Sequence, residues 1–333
     1  MRSTTLPLSP IEKGFEETIR KTVDQYDTIL EFVDGVVGRG LRNVFFVGAG
    51  GSLIAGDPAY YTLVRTADLP IYQVQSDELN TAKPSALGVG SLVVLASYTG
   101  TTKETVAAAT YAQSTGASVV AVGKAGSPLA EAADLHLTGS SDIAELMVAY
   151  AVLEASGVAG DYPRIRAAFE ALPQALLVAQ EEYEEHLRTI AAALKDEEIT
   201  YVLGSGPSAG WAYGLAMCFL QEMQWMNALS FNSGEFFQGA FETVTENTAV
   251  ILILGEDASR PMGERARAFL ETYTTKAHYV DVSDLTLPGV PADMRPLVSP
   301  LAVAAVIGRL AKHYEAVRGH SLEQRRYMFR VEY

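Results

Sequence analysis

The chain has 333 residues, 48% of them apolar, and a formal net charge of −15 at pH 7. This size and apolar content allow one large core or two domains of ordinary size, and the acidic balance excludes a nucleic-acid-binding surface, which needs clustered Lys and Arg. The single cysteine, Cys218, excludes intramolecular disulfides and cysteine-rich metal sites, and the apolar stretch around it favours a core position over a nucleophile.

The N-terminal segment has no apolar h-region, so we expect no signal peptide. The longest apolar runs, Leu92–Ala96 and Thr248–Leu254, have the length of strands and are too short to span a bilayer. The sequence therefore predicts a cytoplasmic protein with no membrane partner.

The first half of the chain alternates predicted helices and strands. Apolar residues at helical spacing between Ile19 and Val33 predict one long amphipathic helix over Ser9–Gly38. Strands are predicted at Val44–Val47, Ile71–Val74, Leu92–Ala96, Ser118–Val122 and Leu135–Leu137, and helices at Thr102–Ser114 and Asp142–Ser156. This alternation, with short polar turns, is typical of a parallel sheet covered by helices on both faces.

The second half repeats the pattern after a charge-rich helical connector. Strands are predicted at Tyr201–Leu203, Leu229–Phe231, Ala249–Leu254 and His278–Val282, and helices at Ala209–Met226, Arg260–Thr274 and Leu301–Glu315. The strand–glycine turn–helix unit of Phe45–Gly56 recurs at Thr200–Trp211. We therefore predict an α/β fold of two tandem doubly wound domains, residues 1–160 and 198–333, joined by a connector over 161–197.

The glycine turn Gly48–Ser52 is the first candidate binding element. A glycine turn between strand and helix directs backbone N–H groups towards an anion at the positive end of the helix dipole, but such turns also occur for packing alone. The turn lacks the third glycine of the dinucleotide-binding fingerprint, and the chain has no Walker Gly-Lys-Ser/Thr sequence. The residues therefore give no support to a nicotinamide cofactor, and we expect no cofactor.

A loop rich in hydroxyl groups, Ser97–Glu104, follows the buried strand Leu92–Ala96. The carboxyl edge of parallel strands is where doubly wound folds bind ligands. Hydroxyl donors together with helix N-terminal amides can hold a phosphomonoester without any Arg. The alternative, an ordinary N-cap, needs one hydroxyl, whereas this loop has four.

This loop resembles the S-x-[ST]-G-x-T-x-E phosphate loop of sugar isomerase (SIS) domains, and Ser127–Asp134 resembles the S-P-L-A-x-x-A-D segment that follows it in that family. The resemblance covers nearly the whole chain, because a second copy begins near residue 200. It implies two tandem SIS-type domains. It also implies that the phosphate of a sugar phosphate is bound by Gly50, Gly51, Ser52, Ser97, Tyr98, Thr99 and Thr102.

The second copy narrows the resemblance within that family. Gln221–Trp225 and Asn232–Gly239 are similar to the isomerase half of glucosamine-6-phosphate synthase, and closer still to the fructoselysine 6-phosphate deglycases. The C-terminal segment from His320 to Tyr333 resembles the deglycases. The resemblance thus implies cleavage of a 6-phosphorylated fructosamine to glucose 6-phosphate and a free amine through an enaminol.

Glu222 stands at the position of the general base in this family. Its neighbours Leu220, Met223 and Trp225 are apolar, so desolvation is expected to raise the pKa of its carboxyl group, as a base that works near neutral pH requires. The structural alternative is a solvent-facing helix residue.

The sequence departs from the family where the general acid is expected. The family segment ends in x-H-G-P, whereas here Gln238 stands in place of the His. Gln can hydrogen-bond a sugar hydroxyl but cannot transfer a proton, so His320 in the C-terminal segment becomes the candidate substitute. A surface or capping role is the alternative for His320, and Glu235 is read as structural.

Two features of the synthase are missing from this sequence, which favours the resemblance to the deglycases. The sequence shows no counterpart of the synthase's C-terminal ring-opening Lys, Arg330 lying near that place, and we expect no N-terminal glutaminase domain. The five His residues are not spaced as metal ligands, so no metal is expected.

The expected partners are a small-molecule sugar phosphate and, by the resemblance, a second copy of the chain in a homodimer. A phosphosugar aldose–ketose isomerase and a non-catalytic sugar-phosphate-binding protein remain alternatives.

Overall fold

The computed structural model describes residues 5–328 and 330–332. Their contacts divide the chain into two compact units. The N-terminal unit is Glu16–Pro173, and the C-terminal unit contains the other described residues.

The N-terminal unit is built on a five-stranded parallel sheet. Its helices and strands are α1 (Phe15–Val23), α2 (Tyr26–Gly38), β1 (Asn43–Gly48), α3 (Gly51–Ile54), α4 (Asp57–Thr66), β2 (Ile71–Gln75), α5 (Ser76–Ala82), β3 (Ser91–Ser97), α6 (Lys103–Ser114), β4 (Ser118–Gly123), α7 (Pro128–Glu131), β5 (Leu135–Leu137), α8 (Ser141–Ala155) and the first part of α9 (Tyr162–Leu194). The strand order is β2-β1-β3-β4-β5, and every neighbouring pair is parallel.

The C-terminal unit is built on a four-stranded parallel sheet of order β7-β6-β8-β9. After α9 come β6 (Ile199–Gly204), α10 (Pro207–Gly214), a π-helix (Leu215–Met223), β7 (Asn227–Asn232), 3₁₀ turns (Glu235–Gln238, Ala240–Thr243), β8 (Ala249–Leu254), α11 (Arg260–Tyr273), β9 (Ala277–Asp281), two further 3₁₀ turns (Val282–Asp284, Ala292–Met294) and α12 (Arg295–Arg318).

Three strands in the interior of the two sheets are buried along their whole length. Every residue of β1, β3 and β8 is buried. Continuous apolar runs are required there because helices cover both faces of a parallel sheet, which leaves no strand face for water. The predicted α/β class with two parallel sheets is therefore confirmed.

The predicted single helix over Ser9–Gly38 is wrong, because the segment forms two helices. Gly14 has φ +94°, which is not a helical conformation, so the first helix begins only after it, at Phe15. The second interruption follows Val23, where the Gln25 side chain donates to the Thr138 carbonyl at 2.8 Å and accepts from the Thr138 N–H at 3.0 Å. These tertiary hydrogen bonds fix the break, and hydrophobic periodicity alone does not reveal them.

The predicted helix over Ala209–Met226 is present, but it spans Pro207–Met223 and only its first part is α-helical. An α-helix ends at Gly214 and continues as a π-helix, in which Gln224 N–H donates to the Phe219 carbonyl at 3.0 Å. Trp225 then adopts φ +54° and ends the helix before β7. Single π-helical turns are uncommon and are found often at functional sites.

The predicted connector over 161–197 contains one helix of 33 residues, α9, which carries Pro173 in its interior. The boundary between the two compact units falls at this proline. The limits of the domains at 160 and 198 remain predictions.

One helical segment, Ala292–Arg318, is long and apolar enough to be considered as a membrane span among the described residues. Within its most apolar window 61% is buried inside the protein. This burial is the pattern of a core helix, and α12 supplies Val298, Leu301, Val306 and Leu310 to the interior of the C-terminal unit.

Candidate active site

The first candidate site lies at the point in the N-terminal sheet where the strand order reverses. β1 is hydrogen-bonded to β2 on one side and to β3 on the other, so the chain leaves β1 and β3 in opposite directions. A crevice opens at the carboxyl ends of such a strand pair, and ligands of doubly wound folds bind there. The glycine turn follows β1 and the hydroxyl loop follows β3, so both predicted elements flank this point.

The glycine turn has two distinct glycine requirements. A Cβ on Gly48 would lie 2.8 Å from the Leu53 nitrogen, so Gly48 is needed for close packing of β1 against α3. Gly50 has φ +55° and is the N-cap of α3, a conformation that residues with a side chain rarely adopt. Gly51 is exposed and Ser52 is half-buried in the first turn of α3, where Ser52 N–H donates to the Ala49 carbonyl at 3.2 Å.

The hydroxyl loop is ordered by its own side chains. Ser97, which is 2% exposed, shares a 2.9 Å hydrogen bond with the Thr102 hydroxyl and accepts from the Gly100 N–H at 3.1 Å. Thr99 and Thr101 share a second hydroxyl pair at 2.8 Å and are exposed. The loop therefore has one hydroxyl pair, buried Ser97 with half-buried Thr102, that these hydrogen bonds fix, and a second, exposed pair whose oxygens are accessible to a ligand.

Tyr98 projects from the same loop and is 89% exposed. Ser97 beside it is 2% exposed. Its predicted place in the phosphate site therefore has no geometric support beyond its position in the loop.

A contact that spacing did not reveal supports the hydroxyl loop from below. Gly100 has φ +67°, and a Cβ there would lie 2.0 Å from the Ser127 hydroxyl oxygen. Ser127 caps α7 by accepting from the Ala130 N–H at 3.3 Å, and Leu129 N–H donates to the Gly100 carbonyl at 3.1 Å. The S-P-L-A segment thus packs directly against Gly100 of the hydroxyl loop. This contact gives a physical reason for the two motifs to occur together.

The C-terminal unit repeats the glycine turn with nearly the same geometry. Gly206, the N-cap of α10, has φ +53° and ψ −135°, against +55° and −129° for Gly50. The strand order again reverses beside this turn, between β6 and β8. The predicted internal duplication therefore extends to the backbone conformation of the turn.

The second turn is closed by an acidic loop. A Cβ on Gly206 would lie 2.5 Å from the Ser259 hydroxyl and 3.0 Å from the Asp257 carboxylate, which also accepts from the Ser259 N–H at 2.8 Å. A carboxylate at this point stabilises the helix N-terminus itself and repels a phosphate. The two turns are alike in backbone and opposite in their fitness for an anion.

Glu222 lies in the π-helix of the C-terminal unit with 23% of its side chain exposed. Partial burial raises the pKa of its carboxyl group, and the guanidinium of Arg325, whose Nη2 lies 2.9 Å from Glu222 Oε1, opposes that rise. The net direction is upward. This is the environment expected of a general base that has to work near neutral pH.

His320 lies against the residues that follow Glu222. Its ring meets the Trp225 ring edge-on at a centroid distance of 4.5 Å, and its carbonyl accepts from the Gln224 side chain at 2.7 Å. Burial, followed by the nearby Arg318 and Arg326, lowers the pKa of His320, and a hydrogen bond with the Met223 backbone works in the opposite direction. Its buried Nε2 has no hydrogen-bond partner among the described residues.

Gln238 ends a 3₁₀ turn and is exposed, as is Glu235 at the start of that turn. Between them Phe236 is fully buried in a cluster with Phe241 and Phe269, and this anchor holds the turn on the sheet. Among the described residues, no hydrogen bond joins Gln238 to Glu222 or His320.

The structure brings predicted site residues together within each unit. In the N-terminal unit Ser97, Thr99 and Thr102 share one loop beside the turn of Gly50–Ser52. In the C-terminal unit Glu222 lies on the segment that His320 contacts. Sequence reasoning assigned no role to Arg325, and the signal for one was weak: an arginine pair in a C-terminal segment of an acidic chain.

No group of three or more His, Cys, Asp and Glu side chains that could hold a metal ion is found in the part of the chain that the structure describes. Cys218 is half-buried in the π-helix.

Comparison with known proteins places the chain in a family. The SIS domain model matches residues 40–160. Fructosamine deglycase FrlB of Bacillus subtilis is 32% identical over 317 residues, which cover 91% of this chain and 96% of that relative. Fructoselysine 6-phosphate deglycase of Escherichia coli K12 is 25% identical over 303 residues, 89% of this chain and 88% of the relative.

Solved structures give the same result. The crystal structure of a candidate phosphosugar isomerase from Bacillus subtilis matches with a TM-score of 0.89 and 28% identity, and covers 95% of this chain and 99% of that one. The resemblance inferred from the hydroxyl loop is thereby confirmed: the chain belongs to the SIS domain family.

Proposed function

We propose that the protein is a deglycase that cleaves a 6-phosphorylated fructosamine, a C1-amino ketose 6-phosphate, to glucose 6-phosphate and a free amine. The observation that carries the proposal is the 32% identity over almost the whole of both chains with a fructosamine deglycase. The hydroxyl loop and the partly buried Glu222 provide the chemistry that such a reaction needs.

The phosphate is assigned to the N-terminal unit. Ser52, Ser97, Thr99 and Thr102 offer hydroxyl donors, and the turns around Gly50, Gly51 and Tyr98 add backbone amides. Neutral donors suffice for a phosphomonoester because several of them share its charge. The family resemblance assigns these positions, and the fixed geometry of the hydroxyl loop supports the assignment.

Glu222 is assigned as the general base. It takes a proton from C1, and the electron pair of that bond forms the C1–C2 double bond of an enaminol as the C2 oxygen takes a proton from water. Protonation of C2 then gives an imine at C1, water adds to this carbon, and the C1–N bond breaks. The balance is one fructosamine 6-phosphate and one water to one glucose 6-phosphate and one amine, so the overall reaction is a hydrolysis that needs no cofactor.

Gln238 and His320 are the two residues to consider as the general acid. Gln238 replaces the family's His and can serve only as a hydrogen-bond partner of the sugar. The buried Nε2 of His320 has no hydrogen-bond partner among the described residues. The lowered pKa of this imidazole means that its neutral form predominates at pH 7. A general acid must carry a proton before it gives one, so this favours His320 as a hydrogen-bond acceptor and leaves Glu222 to return the proton that it removed.

Product analysis distinguishes deglycation from the alternatives. The protein is incubated with fructoselysine 6-phosphate and, separately, with fructose 6-phosphate, and glucose 6-phosphate release is measured. The proposal predicts release from the first substrate with an equal amount of lysine. Release from fructose 6-phosphate alone would make the protein a phosphosugar isomerase, and binding of either compound without turnover would make it a sugar-phosphate-binding protein.

We further propose that the protein acts in the cytoplasm as a homodimer. Support comes from the single cysteine, which leaves no intramolecular disulfide to stabilise the chain outside a reducing compartment, and from the family resemblance. Light scattering after size-exclusion chromatography tests the dimer, and a monomeric mass at micromolar concentration would refute it.

A further inference from the structure

The chain reverses direction after α12 and returns along the π-helix of the C-terminal unit. Gly319 makes the reversal with φ +64°, the left-handed conformation in which glycine commonly ends a helix. We call residues 319–326 the C-terminal strap. Two contacts hold its start: Gln224 donates to the His320 carbonyl at 2.7 Å, and Leu322 N–H donates to Glu315 Oε1 at 2.8 Å.

The two terminal nitrogens of the Arg325 guanidinium have different partners: one bonds to the strap and the other to Glu222. Nη1 donates to the Leu322 carbonyl, and to the Gln324 carbonyl at 3.2 Å, so the strap itself fixes this nitrogen. Nη2 lies 2.9 Å from Glu222 Oε1. The Arg325 side chain is 15% exposed, so the pair is shielded from the bulk water that weakens surface ion pairs.

We propose that Arg325 is a positioning residue of the deglycase reaction, which keeps Glu222 charged and oriented as the base. This inference rests on the proposed function, because it assigns to Arg325 an effect on the reaction that Glu222 performs. The ion pair is the observation that carries it, and no motif in the chain points to it.

Several other ionisable groups lie on the strap and on the elements that surround Glu222. The strap adds His320, Glu323 and Arg326, the π-helix itself adds Cys218, α12 adds Glu315 and Arg318, and α10 adds Tyr213. Arg326 lies over the Trp225 ring at 4.3 Å, Arg318 donates to the Gln224 carbonyl at 3.3 Å, and Tyr213 donates to Met217. β7 carries no ionisable residue. Among the described residues, the ion pair of Glu222 is with Arg325.

The pH dependence follows from the direction of the two effects on Glu222. Burial raises the pKa of its carboxyl group and Arg325 lowers it. The carboxylate form, which is the base, is lost as pH falls through this pKa. Without the cation the pKa rises further, so the loss of base begins at a higher pH.

The test compares Arg325→Gln with Arg325→Lys and with the matched control Arg326→Gln. Arg326 is the adjacent strap arginine and contacts Trp225 instead of Glu222. The pH profile of kcat/KM for fructoselysine 6-phosphate is measured for each variant. We expect Arg325→Gln to move the acid limb upward by roughly one pH unit, the usual effect of removing an opposite charge at this distance. Arg325→Lys should restore part of the shift. Arg326→Gln removes a charge that acts on His320 rather than on Glu222, so it should move the acid limb less than Arg325→Gln does.

A titration that does not depend on activity separates this inference from the proposed function. Protein labelled with ¹³C at the Glu side-chain carboxyl carbon is titrated by NMR, and the Glu222 signal is identified by its absence from Glu222→Gln. A higher midpoint in Arg325→Gln than in the unmodified protein supports the role, even if fructoselysine 6-phosphate is not turned over. Equal midpoints would overturn it, as would a loss of kcat/KM in Arg325→Gln that is the same at every pH.

Discussion

At the scale of single residues, the environment of Glu222 was predictable in part. The apolar residues around it in the chain predicted a raised pKa, and the direction found for its carboxyl group agrees. The Arg325 contact was not predictable, because the two residues are 103 positions apart in the chain and the contact depends on the chain reversal at Gly319. Local sequence thus predicts desolvation, whereas the charge that opposes it is a property of the tertiary fold.

Gly100 provides a test of how the hydroxyl loop is supported. Gly100 and Gly126 both have φ +67°, but a Cβ on Gly100 would meet Ser127 at 2.0 Å, whereas a Cβ on Gly126 would meet nothing within 4 Å. We expect Gly126→Ala to lower the free energy of unfolding by about 1 kcal/mol, the strain of the left-handed conformation. Gly100→Ala should lower it further and should also weaken binding of a ketose 6-phosphate.

Calorimetric unfolding and titration with fructose 6-phosphate measure the two effects. If Gly100→Ala and Gly126→Ala have the same stability and the same affinity, the contact with Ser127 has no role in shaping the loop.

At the scale of helices and strands, continuous apolar runs were the most reliable signal. All nine predicted strands are present: two have the predicted bounds, six are longer by one to three residues, and the last is shifted by one residue. The signal is reliable because a strand buried on both faces must be apolar throughout. The helical errors occur where tertiary contacts interrupt a good helical pattern: Gln25 bound to Thr138, and the π-helix that ends at Met223. Periodicity reports which face is buried, but it does not report where a side chain finds a distant partner.

Leu95 in β3 tests the contribution of a central strand beneath the hydroxyl loop. Its side chain is fully buried between the covering helices. Leu95→Ala removes this side chain and leaves a cavity, so we expect the free energy of unfolding to fall by about 3 kcal/mol. Val89→Ala, at a residue that is 76% exposed, is the control and should change it by less than about 0.5 kcal/mol.

Chemical denaturation with urea gives both values. A loss at Leu95 as small as that at Val89 would mean that β3 is not packed as described.

At the scale of the whole chain, the duplication is visible in the sequence, but the different fitness of its two copies for a phosphate is not. The turns around Gly50 and Gly206 share their backbone conformation, and the strand order reverses beside each. Asp257 closes the second turn with a carboxylate because the loop after β8 folds back on Gly206. A repeated motif therefore predicts a repeated fold more reliably than a repeated site.

This difference predicts one sugar phosphate for each chain. Isothermal titration of the protein with fructose 6-phosphate should give a stoichiometry of one, because Asp257 repels an anion from the second turn. A stoichiometry of two would show that the second turn also accepts a phosphate.

The most direct test of the account is the paired measurement of turnover and binding in Glu222→Gln. Gln keeps the shape of the side chain but cannot accept the C1 proton, so kcat for fructoselysine 6-phosphate should fall roughly a hundred- to ten-thousand-fold. The dissociation constant should change little, since the phosphate is assigned to other residues, and the exposed control Glu242→Gln should match the unmodified protein. A Glu222→Gln variant that retains near-normal kcat would contradict the assignment of the base.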